Sequence, residues 1–378
     1  MLERASQTVF FFWRKHVGLK RDALELCKTH CSMETEPRTA RANYELALWL
    51  QGGTYTESAC SSDTRTMYNI KDVLFAGSTP SCAEVVIATN SEYGTCLFMD
   101  HEIQSASSDE AIYHEHLVHP ALNATAERLG KHVLIVGGGE GATAREVLKW
   151  SVDSVSTVDW VDIDKPLVDL CRRHMVYAND DVYNDPRLVY HEADVCAFLS
   201  RLEKHVKYDV IVLDLPDPDA ESLLTTVATP PEVAKAATAA TAATAAAATA
   251  AATAATAATA AVALYSVPFF RMLKEHLTND GVIATHCGPV LPGGDPQRRR
   301  AGLHWIQKAA RLAGLPVGAA YHAGIPSFQG EWGFWMSTPP SATTRFPTGL
   351  IVMDSLTQTT AFSWPDYWLS SFVGLTLP

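Results

Sequence analysis

Residues 133–146, Val-Leu-Ile-Val-Gly-Gly-Gly-Glu-Gly-Ala-Thr-Ala-Arg-Glu, decide the fold of this chain. An apolar run, Val133–Val136, leads into glycines and then into residues that favour a helix. Strand, glycine loop and helix in that order is how a nucleotide is cradled at a helix start. The unusual member is Glu140. Such loops normally face phosphates or carboxylates, and a carboxylate inside the loop repels both. It attracts instead a ligand that carries an ammonium group and no acid group.

On the carboxyl side of this loop the spacing predicts alternating elements. These are a helix at Ala142–Lys149, a strand at Ser154–Asp159, a helix at Lys165–His174, a strand at Leu188–His191, a helix at Val195–Leu202 and a strand at Val210–Leu213. Further elements fall at Pro268–His276, Gly281–His286, Arg298–Ala313 and Val317–His322. Strands separated by helices of this length predict an α/β fold with a doubly wound, Rossmann-like parallel sheet of the class I methyltransferase type. On the amino side, short β-type runs at Met67–Phe75, Cys82–Ala88, Thr95–Met99 and Glu102–Ala106 predict a small antiparallel β domain over residues 46–108. A helix at Asp109–Leu122, stopping near Pro120, opens the catalytic domain, residues 109–378. Residues 1–45 read as a variable extension with one helix at Asp22–Cys31. Within the catalytic domain Ala234–Ala263 is almost wholly alanine and threonine, a low-complexity insertion that adds little to a core.

Composition narrows the function. The chain has 378 residues, is 47% hydrophobic and carries a formal charge of −12. It has no basic run beyond Arg298–Arg300, which argues against a nucleic-acid partner and is compatible with cationic substrates. No apolar run reaches membrane-spanning length and no secretory cleavage pattern follows the Thr8–Trp13 stretch. Eight cysteines without Cys-x-x-Cys spacing point to reduced thiols in the cytoplasm. No bound metal is expected. Cys27, His30 and Cys31 lack a second ligand pair, and His114 and His119 lie five apart, on different helical faces.

Four carboxylates mark the chemistry. Asp162, after the second strand of the parallel sheet, is placed to accept both hydroxyls of a ribose. Asp194, ending the third, is placed either to reach an adenine amino group or to cap the next helix. An apolar strand delivers Asp214 to its carboxyl end, where open α/β sheets bind ligands, and Asp217 follows three residues on. Facing Glu140, these two acids form an anionic trough suited to a polyamine. Decarboxylated S-adenosylmethionine has the ammonium, lacks the acid and carries the nucleoside. A methyltransferase would have to tolerate Glu140 beside a methionine carboxylate. An NAD dehydrogenase fits the Gly137-x-Gly139-x-x-Ala142 pattern but leaves Asp214 and Asp217 unexplained.

Ordered motifs then carry a family resemblance. Ile103-Gln-Ser-Ala106, Asp109-Glu110, Ile112-Tyr-His-Glu115, Leu117-Val-His-Pro120, Gly137-Gly-Gly-Glu-Gly141, Val161-Asp-Ile-Asp164, Asp185-Pro-Arg-Leu188 and Asp214-Leu-Pro-Asp-Pro218 resemble the spermidine/spermine synthase family. The match runs from about Met67 to Met336, excluding the insertion, and the forms with His114, Glu140 and Phe328 look most like its thermospermine synthase branch. The resemblance implies that Gln104, Gly137, Gly138, Gly139, Asp162 and Asp194 hold the nucleoside part of decarboxylated S-adenosylmethionine, with Glu140 on its ammonium. It implies that Tyr113 and Asp214 meet the attacking amine, and that His114, Asp217, Phe328 and Trp332 line the polyamine groove. The implied reaction is aminopropyl transfer to spermidine, with no permanently bound cofactor, in a homodimer or homotetramer. Putrescine as acceptor, or a silent polyamine-binding relative, are the alternatives. Two departures stand out: the Ala/Thr tract falls where the family places a lid, and Pro216 stiffens the turn between the two aspartates.

Overall fold

The computed structural model describes residues 50, 52–58, 65–175, 177, 180–217, 264–290, 301–341 and 344–364. All of them fall in one compact unit. The expected helix Asp22–Cys31, the His30 and cysteine cluster beside it and the Ala/Thr tract lie outside the described residues.

Strands β1 (Thr54–Ser58) and β2 (Arg65–Asn69) form an antiparallel hairpin. A four-stranded antiparallel sheet follows, made of β3 (Asp72–Gly77), β4 (Val85–Asn90), β5 (Gly94–Met99) and β6 (Glu102–Ala106). The expected single run Met67–Phe75 is therefore two strands. The backbone changes partners between them, Ile70 N bonding to Gly53 O at 2.9 Å and Lys71 N to Thr89 O at 2.8 Å. Alternation along β4 serves two cores. Val86 and Ala88 pack with Tyr55, Tyr68 and Phe98 on one face. Val85 and Ile87 pack with Leu97, Ala142, Leu167 and Cys171 on the other. The small sheet is thus buried on both sides.

The large sheet has seven strands. They are β7 (Lys131–Gly137), β8 (Val155–Asp162), β9 (Leu188–Glu192), β10 (Tyr208–Asp214), β11 (Leu277–Pro289), β12 (Ala319–Ile325) and β13 (Gly330–Met336), in the spatial order β12-β13-β11-β10-β7-β8-β9. The pairings β8–β9, β7–β8, β7–β10 and β10–β11 are parallel, and β13 runs antiparallel between β11 and β12. This is the doubly wound sheet of the methyltransferase type that the loop predicted, with β13 a strand the periodicity did not reveal. Neighbouring residues of β7 serve opposite faces. Val133 and Ile135 pack beneath α1 (Glu110–Ala124), while Leu134 and Val136 pack beneath α6 (Val267–Glu275) and α7 (Ala301–Leu312). Between those helices in the chain come α2 (Ala142–Leu148), α3 (Lys165–His174), α4 (Asp180–Tyr183) and α5 (Val195–Arg201).

Helix α1 does not stop at Pro120 but runs through it to Ala124. Proline removes the N–H that would bond to the carbonyl four residues back, here His116. The Tyr321 hydroxyl donates to that freed carbonyl at 2.9 Å, so the helix tolerates the proline. The chain leaves β7 toward β8 and β9 on one side and returns with β10 on the other. Gly137 and Asp214 are register partners at the carboxyl ends of those two central strands. The crevice at this reversal is where open α/β sheets bind ligands.

Candidate active site

Glycine is obligatory at the floor of the crevice. Gly137 has φ +79°, and a Cβ there would lie 2.1 Å from the Asp214 carbonyl oxygen. A Cβ on Gly138, at φ +71°, would lie 2.8 Å from Asp214 Oδ2. Gly138 N bonds to Asp214 O at 2.8 Å, so the loop and the end of β10 hold each other directly.

Around Asp214 the side chains converge. Tyr113, from the buried face of α1, donates its hydroxyl to Asp214 Oδ1 at 2.8 Å. Thr143, from the first turn of α2, donates to Oδ2 at 2.5 Å. Burial, then the charge of Asp214 and the bond to it, hold the Tyr113 phenol well above its ordinary range, so it remains a donor. His114 stands next to it on α1. Its Nδ1 lies 2.8 Å from the Glu110 carbonyl and 3.0 Å from Glu110 Oε2, so that nitrogen carries a hydrogen. Its Nε2 is buried without a hydrogen-bond partner and faces Glu140 Oε1 at 3.9 Å. Burial pulls the imidazole pKa down, but the Glu110 bond and the charges of Glu110, Glu140 and Asp214 outweigh it and raise it to about 9. Arg145 secures Glu110 from the other side, with bonds of 2.9 and 2.8 Å to its two oxygens.

Glu140 is the acid the loop was expected to present. Burial pushes its carboxyl up, His114 opposes that, and Asp214 adds to it. One ligand-type atom from each of His114, Glu140 and Asp214 lies within 4.8 Å of the other two, a spacing that suits one small cation. With its pKa raised and its Nδ1 committed to Glu110, the His114 imidazole offers no free ligand at neutral pH, and an ammonium, which needs acceptors, is left the carboxylates of Glu140 and Asp214.

The side expected to take the nucleoside lies across Gly139. A Cβ on that glycine would approach Asp162 Oδ2 to 3.5 Å, while Oδ1 accepts from Asp164 N at 2.8 Å. Burial raises the Asp162 carboxyl to about 6. Its neighbour Ile163 is 61% exposed, an apolar face beside the carboxylate. The groove side is aromatic. Phe328 lies 4.7 Å from Trp332 and 5.9 Å from Tyr113 between ring centres. Asp109, at the start of α1, holds this wall in place by accepting from Ser327 N at 2.7 Å and Ser327 Oγ at 2.9 Å.

The structure therefore brings together Tyr113, His114, the glycines, Glu140 and Asp214, with Asp162, Phe328 and Trp332 beside them. It does not join Gln104 or Asp194 to the cluster by a hydrogen bond. Gln104 Nε2 bonds locally to Glu102 O at 3.5 Å. Asp194 is exposed and caps α5, accepting from Ala197 N at 2.8 Å, so the capping alternative describes its bond. Asp217 lies 3.3 Å from Nδ1 of His286, a buried histidine that the motif reading did not single out. Its place near the carboxyl end of β11 was the available signal. Thr143, Glu110 and Arg145 were also missed as site residues: Asp214 and Glu110, the partners of Thr143 and Arg145, are brought near them only by the folded chain, whereas the spacing of Glu110 and His114, one helical turn, was available to read.

Residues 110–226 match the family model described as the spermine/spermidine synthase domain. The chain is 32% identical to polyamine aminopropyltransferase 2 of Pseudomonas aeruginosa over 272 residues, which cover 72% of this chain and 64% of that protein. It is 37% identical to the polyamine aminopropyltransferase of Pyrobaculum aerophilum over 245 residues, covering 65% of this chain and 68% of the relative. Against two Bacillus relatives named polyamine aminopropyltransferase 2, the chain spans 52% and 53% of their length. Its fold is similar to the crystal structure of spermidine synthase from Thermotoga maritima, with a TM-score of 0.62 at 19% identity, covering 85% of this chain and 94% of that one.

Proposed function

The chain belongs to the spermine/spermidine synthase family, and on that premise we propose that it is an aminopropyltransferase that uses decarboxylated S-adenosylmethionine, with spermidine as acceptor and thermospermine or spermine as product. The observation that carries this reading is the partly buried Glu140 carboxyl, pushed up beside Asp214 in a loop that ordinarily meets anions. An arriving ammonium relieves that arrangement and a methionine carboxylate worsens it.

In this reading Asp162 takes the ribose hydroxyls and Ile163 the face of the base, with Gln104 and Asp194 at the edge of the nucleoside. Glu140 takes the aminopropyl ammonium, which turns the methylene beside the sulfonium toward Asp214. The acceptor nitrogen attacks that methylene in line. The N–C bond forms, the C–S bond breaks with both electrons going to sulfur, and methylthioadenosine leaves neutral. No acid is required for the leaving group. The nucleophile must be a free amine, and moving a proton from an alkylammonium to an ordinary aspartate costs about 8 kcal/mol. Desolvation between Phe328, Trp332 and Tyr113 lowers that cost by disfavouring the ammonium, and the fixed bonds of Asp214 to Tyr113 and Thr143 orient the nitrogen. The aromatic wall offers methylenes a surface and, at Phe328, no hydroxyl to anchor a short diamine, which favours the longer acceptor.

Among the described residues no helix is long and apolar enough to cross a membrane, and the five described cysteines are free. Both are in keeping with a cytoplasmic enzyme. The test is a product assay: protein, decarboxylated S-adenosylmethionine and either spermidine or putrescine, with chromatography that resolves spermine from thermospermine. Thermospermine or spermine from spermidine is expected. Methylthioadenosine with neither acceptor, from folded protein, overturns the proposal.

A further inference from the structure

Among the described residues three that are not glycine have a positive φ, and one of them, Gln329 at +58°, adjoins the aromatic wall. The other two, Asp100 and His101, form the turn between β5 and β6. Gln329 closes the short 3-10 turn Pro326–Phe328, its N–H bonding to Pro326 O at 3.0 Å. A residue with a Cβ enters this left-handed region at a cost, and such strain persists only where contacts fix it. The contacts come from the first hairpin. Gln329 Nε2 donates to the Thr66 hydroxyl and, at 3.4 Å, to the Tyr68 hydroxyl, both on β2.

Tyr68 is a fixed point. It is 2% exposed, and its hydroxyl donates to Glu57 Oε2 at 2.6 Å, which leaves its lone pairs for Gln329. Burial and the Glu57 bond hold the phenol above its ordinary range, so it stays a donor to Glu57. The other Glu57 oxygen accepts from Ile103 N at 3.0 Å, so the same carboxylate anchors the hairpin to β6. A second tie from the small domain runs from the Tyr93 hydroxyl to Pro326 O at 3.5 Å. Phe328 therefore lies between two anchors: Asp109 of the catalytic domain grips Ser327 before it, and the hairpin grips Gln329 after it. Its ring packs on the core beneath α1 and on the core of the small domain.

Resting on the aminopropyltransferase reading, we propose that Gln329 is a positioning residue: tethered to Thr66 and Tyr68, it fixes how Phe328 faces Tyr113 and Trp332, and the first hairpin thereby sets how well a long acceptor fits. A wall that swings loses contact with the methylenes laid against it. The loss grows with the number of methylenes, so a long amine is hurt more than a short one.

Gln329→Asn tests the tether, because asparagine tolerates the left-handed conformation but is one carbon–carbon bond, about 1.5 Å, too short to reach Tyr68. By calorimetry spermidine is expected to weaken about 5- to 20-fold, with n-butylamine and decarboxylated S-adenosylmethionine staying within about twofold. Gln329→Gly, which relieves the strain and removes the tether, is expected to lose as much, and it decides the matter should Gln329→Asn not fold. In a Phe328→Ala background Gln329→Asn is expected to add nothing; a further loss there would mean that Gln329 acts by another route. Hydrogen exchange at the amides of residues 327–330 needs no ligand and is expected to quicken about tenfold in Gln329→Asn. Methylthioadenosine release by wild type reports separately on the reaction, so a failed aminopropyltransferase reading is told apart from a failed tether. Unchanged spermidine binding or unchanged exchange in folded Gln329→Asn overturns the proposal, as does an equal loss for all three ligands.

Discussion

The Tyr113 hydroxyl has one described acceptor, Asp214 Oδ1 at 2.8 Å, and Thr143 holds the other oxygen of that carboxylate at 2.5 Å. In the proposed function Asp214 positions the nucleophile, so removing one of its oriented donors costs alignment rather than binding. Tyr113→Phe is therefore expected to lower kcat about tenfold and leave donor affinity unchanged; steady-state kinetics with both substrates varied checks the split. At this scale the sequence was informative where chemistry and backbone coincide. Glycine at 137 and 138, Glu140 and Asp214 could be placed from spacing, because strand and loop geometry fix where their atoms go. His286 and Arg145 could not, because their partners, Leu215 and Asp217 for one and Glu110 for the other, are brought close only by the folded chain.

Helices α1 and α2 meet through a charge clamp. Arg145 on α2 binds Glu110 on α1, and Glu110 binds His114 one turn on. Burial raises the Glu110 carboxyl, but its bonds to His114 and Arg145 prevail and hold it at about 2. A folded-state value below the unfolded one adds stability that is complete above about pH 4.5 and fades as pH falls toward 2. Glu110→Gln should then destabilise the protein by about 3 kcal/mol at pH 7, with the gap to wild type closing between pH 5 and pH 2 in urea unfolding. A constant gap would count against the clamp. On the alkaline side the sign reverses. His114, raised to about 9, contributes stability that is full below about 6.5 and is lost as pH climbs through 9. The extent of α1 was half legible from sequence. Its start was clear, but proline punctuation set its end at Leu122, two residues early, because Tyr321, which takes the His116 carbonyl, lies 205 residues away.

At the scale of the molecule, the small sheet and the large one are tied at Asp164. It caps α3 by accepting from Leu167 N at 3.0 Å, and its other oxygen takes the hydroxyls of Thr79 and Ser81 from the loop before β4. Asp164→Ala removes the cap and leaves two hydroxyls without their acceptor, a loss of about 2–4 kcal/mol readable as a lower urea midpoint; a loss under about 1 kcal/mol would place the tie elsewhere. The doubly wound order was legible because glycine loop and alternating periodicity constrain it. Strand β13 was not, since Gly330–Met336 is buried at five of seven positions and carries no alternation to read. What the whole topology accomplishes is to set Glu140 in the crevice between β7 and β10, where the proposed function gives the site a preference for a donor without a carboxylate. That preference is tested most directly by calorimetric binding of decarboxylated S-adenosylmethionine and of S-adenosylmethionine to wild type and to Glu140→Gln. Weakening of the decarboxylated donor by about 10- to 100-fold, with S-adenosylmethionine unchanged or improved, is the predicted result. Equal losses for the two ligands would contradict it.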